Sequence, residues 1–248
     1  MASPHCKLLT FGNPKTIKGQ KRGFHTYILH LAPAKESGFE TCRWRTPGCT
    51  ALCLNKAGRG GLFKAGKSTN TIQEARKRRT RLFFENREAF LALLVADIEY
   101  AIRYSDARGF TAVFRLNGTS DLVWESMPVI RNGKAFDHIF AAFPDVQFYD
   151  YTKAPYAARS HTIANYHLTF SFAETIKNQL EASVWYANGH NLSVVFGLKK
   201  TEPLPETFNG MPVFNADETD LRFLDQRGIA GLHAKGNAWK RNRNGFIN

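Results

Sequence analysis

The feature that most constrains how this 248-residue chain folds is a repeated order: strand, polar cluster, helix, strand. Residues 110–116 carry the β-branched and aromatic bias of a strand and run into Asn117-Gly118-Thr119-Ser120-Asp121. A helix is expected over 135–143. A strand over 146–149 follows and ends at Asp150 and Lys153. A strand over 166–170 ends at Glu174, and a helix runs on to about Asn188. Three further strands are expected at 192–196, 211–214 and 229–235, the second leading to Asp217, Glu218 and Asp220. Upstream, residues 25–31 read as a strand stopped by Pro33. A helical region capped by Thr69 or Thr71, with Glu74 completing a capping box, comes after it. Residues 86–104 place Phe90, Leu93, Leu94, Ile98 and Ile102 at helical spacing, and Gly109 closes that helix.

This order is that of a parallel α/β sheet or barrel, whose active site lies at the carboxyl ends of the strands. The expectation is one α/β domain over 1–248, built as a partial (β/α)6-type barrel of largely parallel strands. A basic arm over 1–22 precedes it and a basic tail over 236–248 follows. Strand-end carboxylates and amines can orient substrate or move protons, which makes Asp150, Lys153, Glu174 and Asp217 candidate catalytic residues. Each also has a plainer reading: Asp217 and Asp220 can cap a turn, and Glu174 suits the first turn of a helix.

Between the first strand and the first long helix lie three of the four cysteines, Cys42, Cys49 and Cys53, spaced C-x6-C-x3-C. The start of the chain has no secretory signal, so a reducing, cytoplasmic setting is expected. There, clustered cysteines bind metal more often than they form disulfides. Thiolates suit zinc or an iron–sulfur cluster. Three of them leave one position open, and His25 or His30 are candidate fourth ligands to zinc. Cys6 stands apart.

A three-cysteine loop directly after the first strand of an α/β barrel resembles the radical S-adenosylmethionine (radical SAM) enzymes, although their usual spacing is C-x3-C-x2-C. The segment Thr46-Pro-Gly-Cys-Thr-Ala-Leu-Cys53 is also similar to the loops of a bacteriophage family with that outline. So are Arg115-Leu-Asn-Gly-Thr-Ser-Asp121 and Asn165-Tyr-His-Leu-Thr-Phe-Ser-Phe172. The resemblance implies a [4Fe–4S] cluster on Cys42, Cys49 and Cys53, with S-adenosylmethionine on its open iron. It implies a radical reaction and, for a phage protein, the host cytoplasm. No Gly-Gly-Glu segment follows the second strand. Asn117, Gly118, Thr119, Ser120 and Asp121 stand in that place as the cofactor-binding candidates.

Two features point to anions. Residues 61–68 match the P-loop pattern G-x4-G-K-[ST], but glycines and the cysteine loop precede them where a P-loop needs a strand. The formal charge is +13, with dense basic runs at 76–81 and 235–243 and aromatics such as Trp239, Phe246, Trp44 and Tyr151 near some of them. Such a surface favours nucleic acid or a nucleotide, held mostly through phosphates. No apolar stretch reaches the roughly 18 residues of a membrane helix: residues 89–102 are interrupted by Asp97 and Glu99. No Ser-His-Asp or H-E-x-x-H spacing supports a hydrolase of those types.

The sequence therefore leads to an iron–sulfur protein acting on nucleic acid, nucleotide or another anionic substrate. The alternatives are a nucleic-acid-binding protein with a structural zinc and a P-loop nucleotide-binding protein.

Overall fold

A computed structural model describes residues 6–56, 58–63, 70–235 and 246–248. In chain order the elements are β1 (Leu9–Phe11), α1 (Ile17–Gln20), β2 (Phe24–Leu29), α2 (Pro47–Ala51), α3 (Thr71–Glu85) and α4 (Arg87–Asp106). β3 (Thr111–Arg115), β4 (Val129–Arg131), β5 (Lys134–Phe136), α5 (Ile139–Ala142), β6 (Gln147–Thr152) and β7 (Tyr166–Ser171) follow. The last are α6 (Ile176–Ala187), β8 (Leu192–Phe196), β9 (Thr207–Phe208), β10 (Met211–Asn215) and β11 (Ile229–His233).

The principal sheet has nine strands in the order β1-β2-β3-β6-β7-β8-β11-β10-β9. From β2 to β10 every neighbouring pair is parallel, and antiparallel β1 and β9 stand at the two edges. This is a mixed α/β fold around a large, mostly parallel sheet. Within this sheet β2, β3, β6, β7 and β8 follow one another in both chain and space, while β11 comes after β9 and β10 in the chain and inserts between β8 and β10.

The two faces of the sheet differ in chemistry, because residues alternate sides along each strand. On one face Phe114, Phe148, Leu168, Phe170, Leu192 and Val194 join the buried core with Phe90, Leu94 and Ile98 of α4 and Trp185 of α6. The opposite face carries Arg115, Tyr149, Tyr151, His167, Thr169, Ser171 and Ser193. A parallel sheet covered for stability alone is apolar on both sides. Polar residues on the second face therefore mark it as the side that can meet a polar ligand.

Several expectations are corrected. Residues 6–22 are not a free arm. Buried Asp97 of α4 accepts the backbone amides of Lys7, Leu8 and Leu9, which pins the segment so that β1 pairs with β2. Asn70, not a threonine, caps α3 by accepting from Gln73 N, and Thr71 is the first helical residue. No helix spans 135–143: β4 and β5 form a hairpin, and only Ile139–Ala142 is helical. Asn132 and Gly133 hold φ of 51° and 74°, the left-handed pair of a type I′ hairpin turn. Asn209 and Gly210 do the same between β9 and β10. The strand expected to end before Asp150 continues through Thr152, so Asp150 points into the sheet's packed face. Among the described residues no helix is long and apolar enough to cross a membrane.

Candidate functional site

The cysteine loop is held over the carboxyl end of the sheet by three fastenings. Thr41 Oγ1 donates to the carbonyl of Ala32, and Asp121 N donates to Thr41 O. Glu40 accepts from Cys42 N and pairs with Arg45. Glu174 then reaches across: its carboxylate accepts from Gly48 N at 2.7 Å and from Thr46 Oγ1 at 2.9 Å. Thr46 also caps α2, accepting from Cys49 N, and Pro47 suits the first helical position because it lacks an N–H. A side chain at Gly48 would lie 2.4 Å from Phe246 Cβ and 2.9 Å from Glu174 Oε2, so the glycine is required where loop, brace and chain end meet.

The loop covers a cavity of about 280 Å³. Cys42, Cys49 and Cys53 line it together with Asn117, Gly118, Thr119, Ser120 and Asp121. Arg115, Tyr151, Thr152, Lys153 and Ser171 at strand ends, with Ser193 of β8 level with Ser171, complete the wall beneath. Burial is the leading cause that pushes the Cys42 thiol up to about 12, and it raises Cys53 as well. Both therefore carry protons at neutral pH until a cation displaces them. Among the described residues no three His, Cys, Asp or Glu side chains gather closely enough to hold one metal ion. His25 and His30 do not line this cavity. His25 meets Ser105 Oγ and stacks on Phe110, and His30 meets Thr10 Oγ1.

Residues 117–121 act as a second clasp. Asn117 Oδ1 accepts from Ser120 Oγ, Leu122 N and Trp124 Nε1, which shapes the turn. Gly118 N donates to Leu29 O, and a Cβ there would lie 2.5 Å from Ile28 Cγ2, so only glycine fits this contact with β2. Thr119 Oγ1 donates to Leu31 O, and the Cys42 thiol lies 3.6 Å from Thr119 O. Asp121 accepts from Thr152 Oγ1 and Lys153 N and pairs with Arg159, whose guanidinium also forks onto Glu125.

The four candidate catalytic residues occupy four different environments. Lys153 lies in the cavity, its ammonium donating to Ser171 O and Oγ and resting 5.3 Å from the Phe246 ring. Burial lowers its pKa, and Cys49, Asp121, Glu174 and Cys42 oppose that shift. Glu174 is the brace on the loop. Asp150 is fully buried, accepting from Leu116 N, Asn117 N and Tyr166 Oη, which ties β6 to the end of β3. Asp217 lies elsewhere: its carboxylate accepts from His233 N and Nδ1 beside a neighbouring pocket.

Lys15, Arg115, Tyr151, Phe246 and Ile247 also line the cavity, and the sequence marked none of them as a site candidate beyond noting Tyr151 and Phe246 as aromatics near basic runs. Arg115 and Lys15 both pair with buried Asp220, at 2.7 and 3.3 Å. Arg115 Nε and Tyr151 Oη have no hydrogen-bond partner among the described residues. Phe246 and Ile247 reach the cavity because Asn248 exchanges backbone hydrogen bonds with β8 and the residue after it: Asn248 N donates to Val195 O and Gly197 N to Asn248 O. The end of the expected basic tail is thus bonded to the end of β8, while residues 236–245, with Trp239, lie outside the described residues. The P-loop-like match also falls mainly outside them, at 64–68. The described part before it is a pair of 3-10 turns, Leu54–Lys56 and Gly58–Gly61, not a strand.

Fold and site define an α/β protein in which a thiol-bearing loop closes a cavity of mixed polar and apolar lining at the carboxyl ends of parallel strands. The chain belongs to the Gene product 88 family, whose model matches residues 7–248, in keeping with the phage-type family that the sequence resembles. No curated protein and no solved structure matches it.

Proposed function

We propose that this protein is an iron–sulfur enzyme of the radical SAM type with a partial (β/α)6 barrel, acting on a nucleic acid, nucleotide or other anionic substrate. One observation carries the reading: Cys42, Cys49 and Cys53 line a single cavity with the polar carboxyl ends of successive parallel strands. Five sequential, adjacent parallel strands with β11 parallel beside the last suit a partial barrel, and in such folds the carboxyl ends hold the active site.

The donor set fits a cluster. Its thiolates bind separate irons, so they need to share a cavity rather than converge on one point, and three of them leave one iron open. When bound, such a cluster with S-adenosylmethionine supplies one-electron radical chemistry. The chain's own residues do the rest. Residues 117–121 set the far wall, Glu174 fixes the cysteine loop, and Phe246 and Ile247 exclude water from one side. Lys153 presents a buried cation beside the thiols. Arg115 Nε and Tyr151 Oη offer buried polar atoms to a ligand, since leaving such groups unpaired is costly.

The reading is tested by incubating reconstituted protein with S-adenosylmethionine and a low-potential reductant under anaerobic conditions. Cleavage of S-adenosylmethionine by the wild type, lost in Cys42→Ala, is the expected result. About one zinc per chain with no cleavage would replace it with a zinc-stabilised binding protein.

A further inference from the structure

A second cavity, of about 480 Å³, opens beside the first. Five lysines line it: Lys15, Lys18, Lys199, Lys200 and Lys235. They come from three separate places: the stretch around α1, the loop after β8, and the residues after β11. Like charges converging from distant parts of a chain repel one another. Among the described residues lining it Asp217 is the one carboxylate, and it is engaged by His233 N and Nδ1 at 2.9 and 3.0 Å, while the Glu202 carboxylate accepts from Lys199 N. Lys18 Nζ is turned to the backbone oxygen of Asp217, not to its carboxylate. Lys15 pairs with Asp220, which Arg115 shares. Burial lowers the Lys235 pKa and the charge of Lys15 lowers it further, while Asp217, Asp220 and Tyr151 oppose the shift. Lysine ammonium groups are compact charges suited to phosphate.

The two cavities meet at Lys15, His233 and Lys235, which line both. We propose that the lysine pocket is a phosphate subsite, holding phosphate groups of the substrate while the remainder reaches the cysteine-lined cavity. The first half stands on the lysines alone, and the second rests on the function proposed above. The ligand class is a phosphate ester, supplied either by a nucleotide or by the backbone of a single strand. Its volume lies within the range of small-ligand sites, larger than one phosphate requires.

The test uses full-length, metal-free protein and tripolyphosphate in titration calorimetry. Lys199 and Lys200 are exposed, so Lys199→Ala/Lys200→Ala removes two charges from the rim without cutting into the core. Wild type should bind tripolyphosphate in a salt-sensitive manner, and this variant should bind about tenfold or more weakly, the loss of a charge-assisted contact. Arg78→Ala/Arg81→Ala, which removes the same charge from exposed positions of α3, should bind as wild type does. Equal affinity in wild type and Lys199→Ala/Lys200→Ala, or no binding by either, overturns the subsite. A labelled oligothymidylate and thymidine diphosphate, each tested in competition with tripolyphosphate, separate the two sources: whichever competes supplies the phosphate, and failure of both overturns the assignment to substrate. Iron loading reports separately. Loss of iron in Cys42→Ala with tripolyphosphate binding intact leaves the subsite standing, and a wild type that takes up no iron removes only the radical reading.

Discussion

Removing the Glu174 carboxylate should unfasten the cysteine loop while leaving the sheet beneath it intact. The carboxylate accepts two hydrogen bonds from the loop, from Gly48 N at 2.7 Å and Thr46 Oγ1 at 2.9 Å. Bonds to a charged acceptor contribute about 1.5–3 kcal/mol each. At the lower end, Glu174→Ala costs the closed loop about 3 kcal/mol, or roughly a hundredfold in its opening equilibrium. The core is untouched, because Glu174 follows β7 and lies outside the apolar cluster. Limited trypsin digestion of metal-free protein reads the opening directly, through cleavage after Arg43 and Arg45. Cleavage there should accelerate by one to two orders of magnitude while the urea midpoint of global unfolding moves little. Glu174→Gln, which retains one acceptor oxygen, should fall between the two. Equal cleavage rates in Glu174→Ala and wild type would refute the brace.

Three further outcomes follow from the same geometry. With its thiol pushed up to about 12, Cys42 should alkylate far more slowly than free cysteine at pH 8 in the metal-free protein; mass-resolved labelling should show the rate still climbing as pH approaches that value, because the thiolate fraction rises with it. Arg159→Ala leaves Glu125 and Asp121 buried without their shared cation, and denaturant unfolding should show a loss of about 3–5 kcal/mol. Gly118→Ala forces a methyl toward Ile28 Cγ2 and Leu29 O, 2.5 and 2.7 Å away, and should cost about 1–3 kcal/mol in the same assay.

The sheet was legible because its strands advertise themselves. Residues 192–196 are an uninterrupted strand both by composition and in the structure. The same reading overran 25–31 and 229–235 by two residues, where local bias continues past the last paired residue. It missed both Asn-Gly hairpins, whose strands are only two to five residues long and carry little periodicity. Placing the polar clusters at strand ends brought Cys42, Cys49, Cys53, residues 117–121 and Lys153 to one cavity. It could not separate Glu174 and Asp150 from them. A carboxylate after a strand reads the same whether it faces a ligand, braces a loop or bonds a buried amide, and only its partners decide. The pairing of Asp220 with Arg115 was hidden for the same reason, since it joins residues 105 positions apart. Lys15, Lys199 and Lys235 look like ordinary surface charge until the topology gathers them.

The central claim is that Cys42, Cys49 and Cys53 hold an iron–sulfur cluster in their shared cavity. Anaerobic reconstitution with iron and sulfide, followed by iron analysis and an absorbance spectrum, tests it most directly. A brown protein that bleaches in air, with about four irons per chain and most of that iron lost in Cys49→Ala, is the expected result. Colourless protein without iron after reconstitution would contradict it.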